Sequence, residues 1–206
     1  MRPSEQRIYL ASKSPRRREL LRQIGVEFDL LLLRDHGNRD ADVSEHVLPD
    51  ETPEAYVHRV TLEKAQAALQ TVYYRRLPPR PVLTADTCVV LGQRILGKPT
   101  GEVDAIAMLH SLSGQTHQVL TSVAVCHDGE IQQITQASDV SFATLSDATI
   151  RAYCATNEPY DKAGAYGIQG YAASFIEAIA GSYTGIMGLP LFETIQLLKQ
   201  AGLRLP

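Results

Sequence analysis

The pattern of apolar and polar positions begins with two short strands separated by a helix. The apolar run 8–11 ends at a pair of serines, and a helix is predicted to follow with Ser14 as its N-cap and Pro15 at its first position. A second apolar run, 27–33, predicts the next strand. The charged segment 34–51 has no periodicity, which is typical of a long loop, and loops of that length are often functional.

A long amphipathic helix is predicted to begin at Thr52-Pro53 and to end near residue 70. Its apolar stripe includes Val57, and Lys64 falls on the same stripe at helical spacing. Such a lysine either extends along the apolar surface to reach solvent or projects into a cleft. The sequence leaves both interpretations open.

The run 81–91 is apolar on both alternating faces, which predicts a buried central strand. Asp86 stands in the middle of this run. Removing a carboxylate from water is costly unless a cation or a metal compensates its charge, so Asp86 is a candidate functional residue. The alternative is a carboxylate that accepts hydrogen bonds from nearby backbone N–H groups, which a break in the strand at Asp86 would favour.

The second half of the chain shows further strand and helix signals around a glycine-rich segment, 158–170. Three glycines three residues apart in that segment would let the backbone approach a ligand closely, although the spacing is not that of a known phosphate-binding loop. The other predicted elements are a tight turn at 92–93 into a strand at 95–96, a helix at 102–112, a hairpin of 115–126 with 131–142, a helix from 146 to 155, a strand near 175–179 and a helix from 190 to 201.

The overall composition narrows the class of protein. With 206 residues and an apolar fraction of 44%, the chain can bury a sizeable core as one domain or two small lobes. Its net charge of −3 provides no general attraction to nucleic acid or anionic membrane, and no apolar run is long enough to cross a bilayer. We therefore expect neither nucleic acid nor a membrane among its partners.

The cysteines and the first residues indicate the compartment. Cys88, Cys126 and Cys154 are scattered, which suits reduced core thiols better than disulfides or a metal site. The polar start of the chain suggests no signal peptide. The expected location is the cytoplasm.

The start of the first helix has the chemistry of an anion-binding site. Free backbone N–H groups and the positive end of the helix dipole meet there, and the three arginines 16–18 oppose that dipole unless an anion lies in front of them. A phosphate group is the obvious candidate. The alternative interpretation is a solvated basic turn at the start of a surface helix.

The chain also carries a series of short motifs, in the order S-x-S-P-R-R-x-E-L-L (12–21), E-K-A (63–65), A-D-T (85–87), G-K-P (97–99), L-S-G-x-x-H (112–117), E-P-x-D-K-A-G-x-Y-G-I-Q-G (158–170), G-S-Y (181–183) and G-L-P-L (188–191). In kind and in order these motifs closely resemble those of the Maf family of nucleoside triphosphate pyrophosphatases. The resemblance covers nearly the whole chain.

The resemblance implies a single Maf-like domain over residues 1–206. Its fold would be α/β, with a mixed, strongly curved central sheet flanked by helices and two lobes around a cleft, as in inosine triphosphatase. The implied activity is hydrolysis of a nucleoside triphosphate between the α and β phosphates, which releases the monophosphate and pyrophosphate with the help of a divalent metal cation, Mg²⁺ or Mn²⁺. A homodimer is also implied.

The resemblance further implies roles for particular residues. Asp86 matches the proton acceptor and Glu45 its acidic partner, and both would hold the metal. Arg16, Thr87 and Gln169 match the positions that set substrate choice, and this trio resembles the subgroup that acts on dTTP and UTP.

The remaining candidate residues are assigned by charge and hydrogen-bonding capacity. Lys64 and Lys98 are candidate catalytic cations that would stabilise the leaving pyrophosphate, and Asp161 with Lys162 would close over the phosphates. The predicted substrate-binding set is Ser12, Ser14, Arg16, Arg17, Thr87, Asp161, Lys162 and Gln169.

Two other functions stay open at this stage. One is a pyrophosphatase of the same fold that acts on 7-methyl-GTP or on a broad range of nucleotides. The other is a regulator, for instance of cell division, that binds a nucleotide in the same cleft without hydrolysing it.

Overall fold

The structure is a computed structural model that describes residues 7–33 and 43–206. Residues 1–6 of the predicted polar start and residues 34–42, half of the predicted loop 34–51, lie outside the described residues. The extent of the domain, residues 1–206, stays a prediction.

Strands and helices occur in nearly the predicted order. The strands are β1 (Ile8–Leu10), β2 (Phe28–Leu30), β3 (Val82–Leu91), β4 (Arg94–Leu96), β5 (Thr116–His127), β6 (Glu130–Phe142) and β7 (Ile176–Ala180). The α-helices are α1 (Pro15–Gln23), α2 (Pro53–Tyr74), α3 (Glu102–Leu112), α4 (Asp147–Cys154), α5 (Tyr183–Met187) and α6 (Leu191–Gln200). Short 3-10 turns lie at Pro159–Asp161, Ala163–Ala165 and Tyr171–Phe175.

The strands form one mixed sheet in the order β2-β1-β3-β5-β6-β7, with β4 paired to β3 outside this path. The β1–β2 and β1–β3 pairs are parallel, and the other pairs are antiparallel. Helices pack against this sheet, so the predicted mixed α/β class is confirmed. The longest part is the ribbon of β5 and β6, as the hairpin signal at residues 128–129 predicted.

One edge of β3 has a gap in its pairing. On that side β1 pairs with Val82 and Leu83, and β4 pairs only from Val89 onward. On the other side β5 pairs with β3 continuously from Val82 to Val90. The strand is therefore unbroken at Asp86, and residues 84–88 face an opening in the sheet edge between the end of β1 and β4.

Side chains of β3 alternate between two cores because successive residues of a strand point to opposite faces. Leu83 and Ala85 join a cluster with α1 and α6, while Val82 and Cys88 pack in clusters that contain α2. Further along the first face, Val89 belongs to a separate cluster with α3, α4 and the glycine-rich segment. The two cores on that face meet at the gap in the edge of β3.

The capping signals predicted the helix starts. Ser14 Oγ accepts from the N–H of Arg17 at 3.4 Å, and Thr52 Oγ1 accepts from the N–H of Ala55 at 3.2 Å. The boundaries were less exact, since α2 continues one turn past residue 70 and β2 is shorter than 27–33. Helix α5 was not predicted because a five-residue helix is too short to show periodicity.

The three cysteines are free and buried, as predicted. Burial raises the pKa of the Cys88 thiol to about 12 and that of Cys126 to about 11, which keeps both in the protonated form. In the described part of the chain, no helix combines the length and the apolarity needed to cross a membrane.

The glycine-rich segment is fixed to the sheet at Gly164. This residue has φ of +69°, its N–H donates to the carbonyl of Gly97 at 3.0 Å, and a Cβ built on it would lie 2.9 Å from a methyl group of Val89. Ala165, the next residue, is also left-handed, with φ of +61°. A side chain at position 164 would therefore meet both backbone strain and a packed neighbour.

We predict that Gly164→Ala destabilises the fold more than Gly129→Ala. The β5–β6 turn residue Gly129 also has positive φ, of +84°, but a Cβ there would have no neighbour within 4 Å. In urea unfolding, the free energy of unfolding should fall by about 1 kcal/mol for Gly129→Ala, from backbone strain alone. For Gly164→Ala it should fall by about 1–3 kcal/mol more, because the new methyl group overpacks against Val89. Adding Val89→Ala should recover part of the second loss, and equal losses for the two single variants would contradict the packing argument.

Candidate active site

A cleft of about 980 Å³ lies at the gap in the edge of β3. The residues that line it come mainly from the start of α1, from α2, from the middle of β3, from the end of β4, from the glycine-rich segment and from the end of α5. Residues 32–33, the segment 43–45 and β5 add to the lining. All of the predicted site residues are among them: Ser12, Ser14, Arg16, Arg17, Glu45, Lys64, Asp86, Thr87, Lys98, Asp161, Lys162 and Gln169. The fold brings these distant positions together, while their individual roles stay predictions.

Two carboxylates meet on one ammonium group inside the cleft. Lys64 Nζ lies 2.6 Å from Asp86 Oδ1 and 2.7 Å from Glu45 Oε1. The side chains of Lys64 and Asp86 are 16% and 13% exposed, whereas that of Glu45 is 44% exposed. Of the two interpretations of Lys64, the structure therefore shows the one in which the side chain projects into a cleft. The carboxylate of Asp86 is compensated by a cation in an intact strand rather than by local backbone N–H groups.

Asp86 and Glu45 together have the oxygen donors for a divalent cation whose other ligands would be phosphate oxygens and water. In phosphoryl-transfer sites Mg²⁺ usually takes one or two protein carboxylates and completes its coordination with phosphate oxygens and water. Within residues 7–33 and 43–206, no group of three or more His, Cys, Asp or Glu side chains could hold a metal on its own. Asp86 and Glu45 supply hard oxygen donors of the kind that Mg²⁺ and Mn²⁺ prefer, so the donor set fits the predicted cofactor.

The guanidinium group of Arg17 joins three parts of the cleft wall. Its Nη1 donates to the carbonyl of Ala85 at 2.7 Å and to Ser12 Oγ at 3.2 Å, and its Nε donates to the carbonyl of Gly188 at 2.7 Å. The bond to Ala85 satisfies a carbonyl on the unpaired edge of β3. Burial lowers the pKa of Arg17 from its usual value, against the attraction of Asp86. Arg17 thus has extensive internal partners, and its predicted contact with substrate stays a prediction.

A chain of hydroxyl groups continues from Arg17 into the sheet. Arg17 Nη2 lies 3.2 Å from Thr87 Oγ1, which lies 2.9 Å from Thr121 Oγ1, and Thr121 Oγ1 donates to the carbonyl of Gly185 at 2.8 Å. Because Thr121 gives its proton to that carbonyl, Thr87 must donate to Thr121 while it accepts from Arg17. The Thr87 hydroxyl therefore has acceptor capacity left but no proton to offer a ligand.

The cationic groups around the cleft differ in their partners. Lys98 is exposed at the end of β4 and has no ion-pair partner among the residues that the structure describes. Arg16 Nη1 lies 3.7 Å from Asp161 Oδ2, and this pair of a partly buried arginine and an exposed aspartate connects α1 with the glycine-rich segment. Lys162 Nζ lies 2.5 Å from Asp161 Oδ1 and donates to the carbonyl of Glu158 at 2.6 Å.

The glycine-rich segment is organised by a carboxylate that the sequence reasoning did not select. Glu158 accepts from the N–H of Tyr171 at 2.9 Å and from the hydroxyl of Tyr153 at 3.0 Å. A Cβ on Gly170 would lie 2.1 Å from a Glu158 oxygen, so only glycine leaves room for this carboxylate. Its only sequence signal is its place at the start of the motif 158–170.

A buried aromatic pair forms another part of the cleft wall. His117 Nε2 lies 2.8 Å from the hydroxyl of Tyr166, a residue that lines the cleft, and His117 is 2% exposed. The rings of both residues also pack edge-to-face on Phe142. Burial lowers the pKa of His117 to about 4, so its imidazole is neutral at physiological pH. These contacts make His117 a packing residue of the ribbon of β5 and β6.

Comparison with known proteins identifies the family. A family model described as "Maf-like protein" matches residues 7–201. The chain belongs to the Maf-like protein family. The predicted family resemblance is confirmed.

Several relatives of this Maf-like chain are similar over almost their full length. A protein of Aromatoleum aromaticum named "dTTP/UTP pyrophosphatase" is 57% identical over 203 residues, which cover 98% of each chain. Proteins with the same name from Dechloromonas aromatica and Ralstonia nicotianae are 52% and 56% identical and cover 96% of this chain, with 98% and 95% of their own lengths matched.

A solved structure, that of the Staphylococcus aureus Ham1 protein, is much more distant from the Maf-like chain. The two share 15% sequence identity with a TM-score of 0.44, over 66% of this chain and 72% of that one.

We predict that the stability of this Maf-like protein falls between pH 7 and pH 5 because of His117. An unfolded histidine has a pKa near 6.5, whereas folded His117 titrates at about 4, so in this range the unfolded state binds the proton and the folded state does not. The free energy of unfolding should fall by about 2 kcal/mol from this residue on going to pH 5.

The measurement is urea unfolding at a series of pH values for the wild-type protein and for His117→Gln. The carboxylates titrate in both proteins, so their contribution cancels in the comparison. The difference between the two slopes of unfolding free energy against pH is therefore the contribution of His117. Identical slopes, or an NMR titration of His117 near pH 6.5, would contradict the prediction.

Proposed function

We propose that this protein hydrolyses dTTP and UTP to the monophosphate and pyrophosphate. The observation that carries the proposal is the meeting of Asp86, Glu45 and Lys64 with Lys98 and the start of α1 in one cleft. Support also comes from relatives at 52–57% identity whose name is dTTP/UTP pyrophosphatase.

The triphosphate would lie between the cationic groups and the carboxylate pair. The N–H groups and dipole at the start of α1, together with Arg16 and Lys98, would neutralise the phosphate charge. Lys98 is suited to the leaving pyrophosphate because its ammonium group has no carboxylate partner among the described residues. Phosphoryl chemistry depends mainly on positioning and charge, which this arrangement supplies.

Asp86 is the proposed base. A water molecule would attack the α-phosphorus in line with the bond to the β-phosphate oxygen, that bond would break, and Asp86 would accept the proton of the water. Lys64 Nζ lies 2.6 Å from Asp86 Oδ1 and compensates the charge of this carboxylate. Asp86 and Glu45 would hold Mg²⁺ or Mn²⁺, which when bound supplies charge neutralisation and lowers the pKa of a bound water.

Base selection would come from Thr87 and Gln169. The N3 imide of thymine or uracil is a hydrogen-bond donor flanked by two carbonyl acceptors. Thr87 Oγ1 has only acceptor capacity to offer, as shown by its place in the hydroxyl chain, which suits the imide. The exposed amide of Gln169 can donate to a carbonyl.

Two further properties are part of the proposal. A cytoplasmic location is supported by the three buried, free thiols, which a reducing compartment preserves. A homodimer is supported by the family resemblance of the motifs.

We predict that Asp86→Asn lowers kcat for dTTP by on the order of 10² or more, because it removes the proton acceptor and one metal charge while it preserves shape. The assay is pyrophosphate release with Mg²⁺ or Mn²⁺ from dTTP, UTP and 7-methyl-GTP, with single phosphate measured in parallel. Asp139→Asn, on the exposed part of β6, is the control and should keep wild-type kcat. Wild-type turnover of Asp86→Asn would remove Asp86 from the mechanism.

The same panel tests the function as a whole. Preferential hydrolysis of 7-methyl-GTP would reassign the substrate. No pyrophosphate from any nucleotide, together with retained binding, would indicate a non-catalytic regulator.

We predict that Gln169→Glu lowers kcat/KM for dTTP and UTP by about tenfold, since a carboxylate cannot donate to a pyrimidine carbonyl and repels it. Hydrolysis of other nucleotides should fall less. Gln93→Glu, in the exposed turn between β3 and β4, adds the same charge outside the cleft and serves as the control. An equal loss for every nucleotide would show that Gln169 does not read the base.

A further inference from the structure

The segment that carries Glu45 is held to α2 by three successive carbonyl groups. Arg59 Nη1 donates to the carbonyl of Ser44 at 3.4 Å, the Tyr56 hydroxyl donates to that of Glu45 at 3.1 Å, and Arg59 Nη2 donates to that of His46 at 3.0 Å. Two side chains one helical turn apart on α2 thus bind the backbone at Glu45 and on both sides of it.

Glu51 completes this arrangement. Its carboxylate binds Arg59 through two bonds, of 2.6 Å from Nε and 2.9 Å from Nη2, and accepts from the N–H of Leu48 at 3.0 Å. The side chain of Glu51 is 7% exposed and that of Arg59 is 21% exposed, so the pair is shielded from solvent. The Arg59 hydrogen bonds hold the pKa of Glu51 below its usual value. Both ends of the segment 44–51 are therefore tied to the same guanidinium group.

Most hydrogen bonds of Arg59 go to the segment 44–51 rather than to α2 itself. Arg59 also pairs with Glu63 at 3.2 Å, four residues on, and that pair alone would be an ordinary helix-surface bridge. The other bonds of the guanidinium all go to residues 44–51. A comparable pair, Arg151 with Asp147 on α4, has no such loop contacts.

The position of the Glu45 carboxylate depends on this backbone. The Glu45 side chain is 44% exposed and reaches Lys64 Nζ from a segment with no strand or helix of its own. An exposed carboxylate on an unsupported segment would sample many positions. Fixing it in one position on binding would then lower the affinity for an ion that needs both carboxylates at once.

We propose that Arg59, together with Glu51, is a positioning residue that fixes Glu45 beside Asp86 and Lys64 so that both carboxylates can hold the metal of the nucleotide complex. Arg59 does not line the cleft and would act through Glu45. The inference rests on the proposed function for the identity of the ion. It adds to that function a requirement on a residue outside the predicted site.

The test compares Mn²⁺ binding by the full-length wild-type protein and by Arg59→Lys. Lysine keeps the charge but lacks the planar fork needed to bind Glu51 and two carbonyls together. Mn²⁺ is titrated in the presence of a dTTP analogue with a non-hydrolysable α,β bridge, and free Mn²⁺ is measured by electron paramagnetic resonance. We expect the Kd for Mn²⁺ to rise about tenfold, as for other residues that orient a ligand.

Two further variants serve as a control and as an independent test. Arg151→Lys breaks the matched exposed pair on α4 and should leave the Kd unchanged. Tyr56→Phe keeps the ring but removes the bond to the Glu45 carbonyl, so it should weaken Mn²⁺ binding in the same direction even if Arg59→Lys fails to fold.

Wild-type Mn²⁺ affinity in both Arg59→Lys and Tyr56→Phe would overturn the inference. Equal weakening in Arg151→Lys would overturn it as well, because the effect would then be general. Failure of the proposed function is a separate result, since it appears as absence of pyrophosphate release by the wild-type protein, whereas the Mn²⁺ titration needs no turnover.

Discussion

The site depends on the ammonium group of Lys64, which holds two carboxylates from distant parts of the chain. Without a cation between them, the carboxylates of Asp86 and Glu45 would repel each other. Lys64 lies on α2, which also grips the backbone of the Glu45 segment through Tyr56 and Arg59. One helix thus supplies the charge that pairs the acids and the contacts that position one of them.

The interrupted edge of β3 makes this arrangement possible. A fully paired central strand would bury the backbone at residues 84–88, whereas here β1 ends before them and β4 begins after them. Side chains on both faces of the strand consequently reach one cleft, with Asp86 toward α2 and Thr87 toward α1. The carbonyl of Ala85 that the gap exposes is satisfied by Arg17. Arg17 therefore completes the hydrogen bonding of this edge while it forms part of the cleft wall.

Local signals in the sequence were sufficient for most elements, and the residues predicted for the site all line one cleft. Ser14 and Thr52 predicted two helix starts, and the alternation of the run 81–91 predicted the central strand. Asp86 in an apolar run predicted a compensating cation or metal, because a charge at a buried position needs a partner, and the structure shows Lys64 in that place. Weak or absent periodicity explains the missed helix α5 and the overestimated length of β2.

The sequence by itself determined the family, the order of most elements and twelve of the residues that line the cleft, since these follow from local patterns and from motifs. Tertiary structure alone decided which of these residues contact one another. It places two carboxylates on Lys64, directs the Thr87 proton to Thr121, and holds the segment of Glu45 against Arg59. The physical reason is that a change of a few tenths of an ångström in the distance between two atoms decides whether they form a hydrogen bond or an ion pair. Such distances between residues far apart in the chain are fixed only when the whole core has packed.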